Sequence, residues 1–360
     1  MNSAHAPFLE GAALLSLDAE ETCLRVTGRE AEDYLQRMVS CDLRRATESA
    51  DGGRSVVGTL MTGKGRLVAP FRLVREEGRA GFLLIVERAA HDALREALER
   101  LVILEDVSFE DPGLQLLSVQ GPAADACLRG ESAGGEALPT EEGAWVPLEL
   151  APGRGLVLRP RRSRAGGWDL LLPAAAAEKV ARALQAAGAT PADEATIEAH
   201  RILAGIPRFG RDATGENLPP EVGLDAAIAY DKGCYAGQEV VARIRTYGHV
   251  NRRLCLCSAP IAPAPGGELR DPEGEPEARP IGAVTSSAVT PRGGGAFLAS
   301  IRYRHAVPGA ALLLAGGERG IVERVLGGDE TEEGQSEEGQ SEEGQHKEGS
   351  SPGAAGGSGG

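Results

Sequence analysis

Apolar positions along the chain recur with two periods. The run Leu24–Thr27 reads as a strand ended by Gly28, and Glu30–Val39 follows with Ala31, Tyr34, Leu35 and Met38 at helical spacing. Ser55–Met61 and Arg66–Val74 are strand-like runs joined by Thr62-Gly-Lys-Gly65, which is hairpin chemistry. Phe82–Val86 is a further strand, and Ala89–Leu101 is an amphipathic helix with Leu94, Leu98 and Leu101 in one stripe. The theme then repeats: the strand Leu114–Val119, a Gly-Pro turn, and a helix over Ala123–Leu128. Leu156–Arg159 and Trp168–Leu172 read as strands around an arginine-rich turn. Ala174–Ala187 and Asp193–Ala204 read as helices. After Gly248, short β-type runs alternate with Pro/Gly clusters, the pattern of a small β-barrel ending near Leu326.

From Gly328 the texture is low complexity. Ser-Glu-Glu-Gly-Gln occurs twice in tandem, and the segment has nothing larger than alanine to bury, so a disordered acidic tail over 328–360 is expected. The tail holds nine acids against Lys347, which accounts for over half of the formal charge of −15. The acidic body that is left argues against a generic nucleic-acid binder, which needs a positive field. The 360 residues suit two or three domains. No apolar stretch is long enough to span a bilayer, and the N-terminus lacks the basic and apolar regions of a signal peptide. A cytoplasmic, monomeric protein without membrane contact is the expectation. Its six scattered cysteines then read as reduced thiols, without the paired spacing of a metal site.

Three segments carry candidate chemistry. Gly58–Gly65 nearly matches a phosphate-cradling loop, but Gly65 stands where a hydroxyl is needed and a strand follows where a helix should begin, so a hairpin turn is the reading. Five arginines between Arg154 and Arg164 read as a solvated turn, with a dedicated anion or RNA contact as the alternative. The informative segment is DKGCYAGQEVVARIRTYGHVNRR, 231–253. Cys234 lies between Gly233 and Gly237, just before a helix expected from Gln238. There the positive helix end and Lys232 would favour a thiolate. Arg243, Arg245, Arg252 and Arg253 follow, a local basic excess suited to a carboxylate-bearing ligand. The plain alternative is a buried structural cysteine beside a basic surface.

KGCYAGQE, 232–239, closely resembles the signature of the YgfZ-type folate-binding proteins, relatives of the glycine-cleavage T-protein (aminomethyltransferase). LRVTGREAEDYLQRMVSCDL (24–43), LLSVQGPAA (116–124), GWDLLLP (167–173), HRILAGIPRFGRD (200–212) and NLPPEVGLD (217–225) are similar to family segments and fall in family order. The resemblance covers roughly residues 14–326. It implies an α+β fold of cloverleaf type: a split folate-binding domain (1–50 with 113–240), an inserted α+β domain (51–112) and a C-terminal β-barrel (241–327). It further implies tetrahydrofolate as ligand, a role in assembly or repair of iron–sulfur proteins as transient partners, and no metal of its own. Cys234 and Lys232 would be the functional pair, with Tyr235, Gln238, Glu239 and Arg243 shaping the site. Two positions depart from the transferase branch. Ala69 or Pro70 stands about where the T-protein carries its catalytic acid, and Leu203 replaces a glutamate in the R-x-E-x-G helix end. Aminomethyl transfer and a ligand-free protein-binding scaffold are the alternative functions.

Overall fold

The strand Gly81–Glu87 is apolar on both faces because it lies between two cores. Phe82, Leu84 and Val86 enter one with Leu24, Tyr34, Leu35 and Leu94. Leu83 and Ile85 enter the other with Leu15, Leu116, Trp145 and Leu171. The alternation of side chains along a strand thus packs one sheet face to face on a second. This computed structural model describes residues 3–49, 52–76, 81–129, 138–150, 153–275 and 279–327. The expected disordered tail lies outside the described residues.

The first sheet has eight strands. In spatial order they are Thr190–Pro191, Ala13–Ser16, Leu114–Gln120, Gly167–Pro173, Gly153–Leu158, Ala144–Leu150, Gly52–Arg54 and Thr47–Ser49. Its outer face is covered by the helices Ala124–Arg129 and Ala174–Ala186 through Cys127, Leu128, Ala177, Val180 and Leu184. The second sheet has five strands, in the order Val56–Met61, Leu67–Glu76, Gly81–Glu87, Glu21–Thr27 and Ser108–Glu110. The helices Ala31–Met38 and Arg88–Glu99 bury Tyr34, Leu35, Leu94 and Leu98 against it. Glu21–Thr27 pairs along its whole length with Gly81–Glu87, so the sheets do not divide at residue 51. The inserted layer takes a strand from before the expected cut, while Gly52–Arg54, after the cut, pairs into the first sheet.

Residues 252–325 close a six-stranded barrel around Cys255, Cys257, Leu269, Phe297, Ile301, Leu312 and Val322. Cys255 and Cys257 both enter the barrel core from one strand, buried as small hydrophobes. The outer face of that strand, Leu254 and Leu256, packs on Ile202 of the helix Glu194–Ala204 and on Leu298. The α+β class with a terminal barrel is as the sequence led one to expect.

Candidate functional site

Three stretches converge on the segment 228–247. Ser40 joins them: its hydroxyl donates to Ala227 O at 2.6 Å, its carbonyl accepts from Ala229 N at 2.9 Å, and its Oγ accepts from Thr59 N at 2.9 Å. Directly after Ala229–Tyr230, Asp231 pairs with Arg45 at 2.7 Å. The Lys232 side chain then turns inward and is only 8% exposed. Its ammonium donates to Val39 O and Cys41 O, both at 2.7 Å, and lies 5.2 Å from the centre of the Tyr235 ring. Burial draws this ammonium down from 10.5 to about 8, partly opposed by Cys41 and Asp42.

Tyr235 is buried in a small core with Met61, Ile228 and Val241, and its hydroxyl donates to Ala229 O at 3.1 Å. Burial pushes that phenol up to about 12, so it stays a neutral donor. Gly237 caps the helix Gln238–Tyr247 with φ of 81°. A Cβ there would stand 2.7 Å from Thr62 O and 2.9 Å from Gly65 Cα, so only glycine lets the tip of the 62–65 hairpin seat against the helix start. Lysine, tyrosine and glycine of the signature therefore lock the loop in place. Cys234, between them, is exposed, while Cys23, Cys41, Cys127, Cys255 and Cys257 are buried.

The remaining expected residues lie on the helix. Gln238 is half-buried, and Glu239 and Arg243 are exposed and paired with each other at 3.0 Å. The structure thus brings Lys232 and Tyr235 together, but the hydrogen bonds of the Lys232 ammonium go to the 39–41 backbone. Tyr235 is spent on the loop's own core.

Two adjoining clefts lie away from this loop, at the seam of the sheets, and none of these six residues lines them. Both clefts share Glu21, Glu87, Arg161 and Arg162. Arg162 is the centre of a charge network. Its guanidinium bonds both oxygens of Glu21 at 2.6 Å and both oxygens of Asp169 at 2.7 Å. The expected solvated arginine turn is therefore corrected: Arg162 is held inside, Arg161 donates to Ala204 O at 2.9 Å, and Arg159 lies 4.9 Å over the Trp168 ring. The acids that recruit Arg162 come from other strands, and nothing in the local charge run announces them. Glu87 accepts from Phe209 N at 2.9 Å, and burial, partly offset by that bond, pushes its carboxyl up to about 7. Sequence reading missed Glu87 because a lone acid at a strand end carries no pattern.

Pro70 lines the second cleft, opposite Thr59 in the strand pair, so no acid occupies that wall position. Leu203 packs on the cluster between helix and barrel, and Arg201 beside it bonds Glu198 and Asp212. Among the described residues no group of His, Cys, Asp or Glu is placed to hold a metal ion, and no helix is long and apolar enough to cross a membrane.

Comparison with known proteins fits this geometry. The family described as "GCVT N-terminal domain" matches residues 10–232. A protein named "tRNA-modifying protein YgfZ" from Vibrio vulnificus is 28% identical over 243 residues, spanning 67% of this chain and 68% of its own. Its namesake in Edwardsiella ictaluri is 31% identical over 235 residues, spanning 64% and 66%. The glycine cleavage system aminomethyltransferase T of Bartonella henselae superposes with a TM-score of 0.78 at 20% identity, covering 89% of this chain and 87% of that one. The chain belongs to the GCVT N-terminal domain family and, within it, to the YgfZ type.

Proposed function

We propose that this protein is a folate-binding accessory factor for the assembly or repair of iron–sulfur proteins, acting through Cys234. The observation that carries the reading is the contrast among the cysteines: five are buried and one, within KGCYAGQE, is displayed by a loop whose neighbours are locked. A loop held by a buried lysine, a buried tyrosine and an obligatory glycine presents a thiol with little freedom to lose on meeting a partner. Tetrahydrofolate, or a derivative, is the ligand that the family membership supports, and the two clefts are the space available for it. Lys232 acts as a positioning residue for the loop, and Gln238, Glu239 and Arg243 form the exposed surface beside the thiol. Cys234→Ala, expressed in a strain lacking the native protein, should fail to restore iron–sulfur enzyme activity while melting with the wild type. Full restoration would sink the thiol's role. Calorimetric titration with folinic acid tests the ligand, and no heat of binding would remove folate from the reading.

A second reading, folate-dependent transfer of a one-carbon group, draws on Glu87. A cleft carboxyl at about 7 is poised to hold or release a proton near neutrality. Pro70 at the acid's wall position weighs against it. Turnover with tetrahydrofolate and a methylamine donor, lost in Glu87→Gln, would establish it.

A further inference from the structure

The second cleft contains a guanidinium, that of Arg72, with no ion pair among the described residues. Along the strand Leu67–Glu76, Leu67, Ala69, Phe71 and Leu73 are buried in apolar cores, while Val68, Pro70 and Arg72 alternate with them as half-buried positions. That period of two sets Pro70 and Arg72 on one side of the strand, and both line the cleft. Among the described residues Arg72 has no carboxylate within ion-pair reach, and its hydrogen bond goes to Ser55 Oγ at 3.1 Å. Ser55 does not need that bond, because its own hydroxyl donates to Gly143 O at 2.7 Å. Of the acids whose charge reaches it, Asp169 and Glu21 are committed on both oxygens to Arg162, while Glu142 is exposed and makes no ion pair with Arg72. Burial pulls the Arg72 guanidinium below its usual range, the mark of a charge kept out of water without full compensation. Arginine carries five N–H donors, so most of this fork is unused. Pro70, Leu158 and Leu224 line the cleft together with the charged groups Glu21, Glu87, Asp169, Arg161 and Arg162, of which Glu21 and Asp169 are ion-paired to Arg162.

We propose that Arg72 is an anion-binding group of this cleft, taking the paired oxygens of a carboxylate or phosphoryl group on the occupant. The proposal rests on the folate reading for the source of the anion, a glutamyl carboxylate, but the unpaired guanidinium stands without it. Arg161, on the same wall, adds positive charge, and Glu87 opposes it only in so far as it is ionised.

Calorimetry with folinic acid and with its dimethyl ester, on wild type, Arg72→Met and Arg72→Lys, tests this. Arg72→Met should weaken folinic acid by about 10- to 100-fold, the size of a charge-assisted bidentate contact. Arg72→Lys keeps the charge but loses the fork, so its affinity should fall between those of wild type and Arg72→Met. Esterification should weaken binding to wild type and leave binding to Arg72→Met unchanged. Without ligand, Arg72→Met should melt at or above the wild-type temperature, because it removes a costly buried charge. A fall of several degrees would show a structural residue and overturn the proposal, as would equal folinic acid affinity in both proteins. If folinic acid does not bind wild type at all, the folate reading fails, and inorganic phosphate decides on Arg72. Phosphate should then raise the melting temperature of wild type more than that of Arg72→Met, and an equal response overturns the anion site.

Discussion

Replacing Lys232 with methionine separates two opposed effects of one buried ammonium. The ammonium is drawn from 10.5 to about 8 by burial, so keeping it charged in the native state at neutral pH costs roughly 3 kcal/mol. Against that, it satisfies Val39 O and Cys41 O, both at 2.7 Å. Methionine fills similar volume but leaves both carbonyls without a donor, about 1–3 kcal/mol each. At neutral pH the two effects nearly cancel, and the variant should unfold close to wild type. The sign of the pH dependence then follows from linkage. Between about pH 8 and 10.5 the unfolded lysine keeps its proton and the native one has lost it, so native stability rises with pH. The neutral amine still has two N–H donors for the two carbonyls, so the bonds survive deprotonation. Wild type should gain roughly 2 kcal/mol over Lys232→Met between pH 7.5 and 10. Denaturant midpoints for both proteins at the two pH values measure this, and the other titrating groups cancel in the difference. A flat difference, or one in which wild type loses ground as pH rises, would refute the buried-ammonium account of the loop.

Gly237→Ala should lower stability by about 2–4 kcal/mol, since a left-handed residue gains a Cβ that meets hairpin backbone at 2.7 Å; thermal melts check this. Native protein at pH 7.5 should take up one equivalent of iodoacetamide, located at Cys234 by peptide mass mapping, because the other five thiols are buried. Glu87→Gln should stabilise the protein at pH 8. The native carboxyl at about 7 lies above its unfolded value of 4.5, so wild type loses stability as pH rises from about 4.5 to 7, and the variant should lack that slope in denaturant melts. Arg162→Ala should cost about 3–5 kcal/mol by stranding Glu21 and Asp169, and chemical denaturation should show it.

Local pattern was enough to determine most elements of this protein. The helices at 31–38, 88–99 and 194–204, the 62–65 hairpin and the terminal barrel were legible because each is written in consecutive residues: a stripe, an alternation or a glycine turn. Cys234 before a helix start was legible for the same reason. What Lys232 does was not. Its carbonyl partners are 193 and 191 residues away in the chain, and only the packing of Ser40 against Ala227 and Ala229 brings them within reach. The role of Glu21–Thr27 in the second sheet was likewise decided by long-range pairing, since an apolar alternation says that a strand exists but not which neighbour it takes. The cleft depended on tertiary structure most of all. Arg162 follows an apolar strand and Arg72 lies within one, yet among the described residues the first is ion-paired to two acids and the second to none. Sequence treats them alike because the difference lies in where Glu21 and Asp169 arrive from other strands.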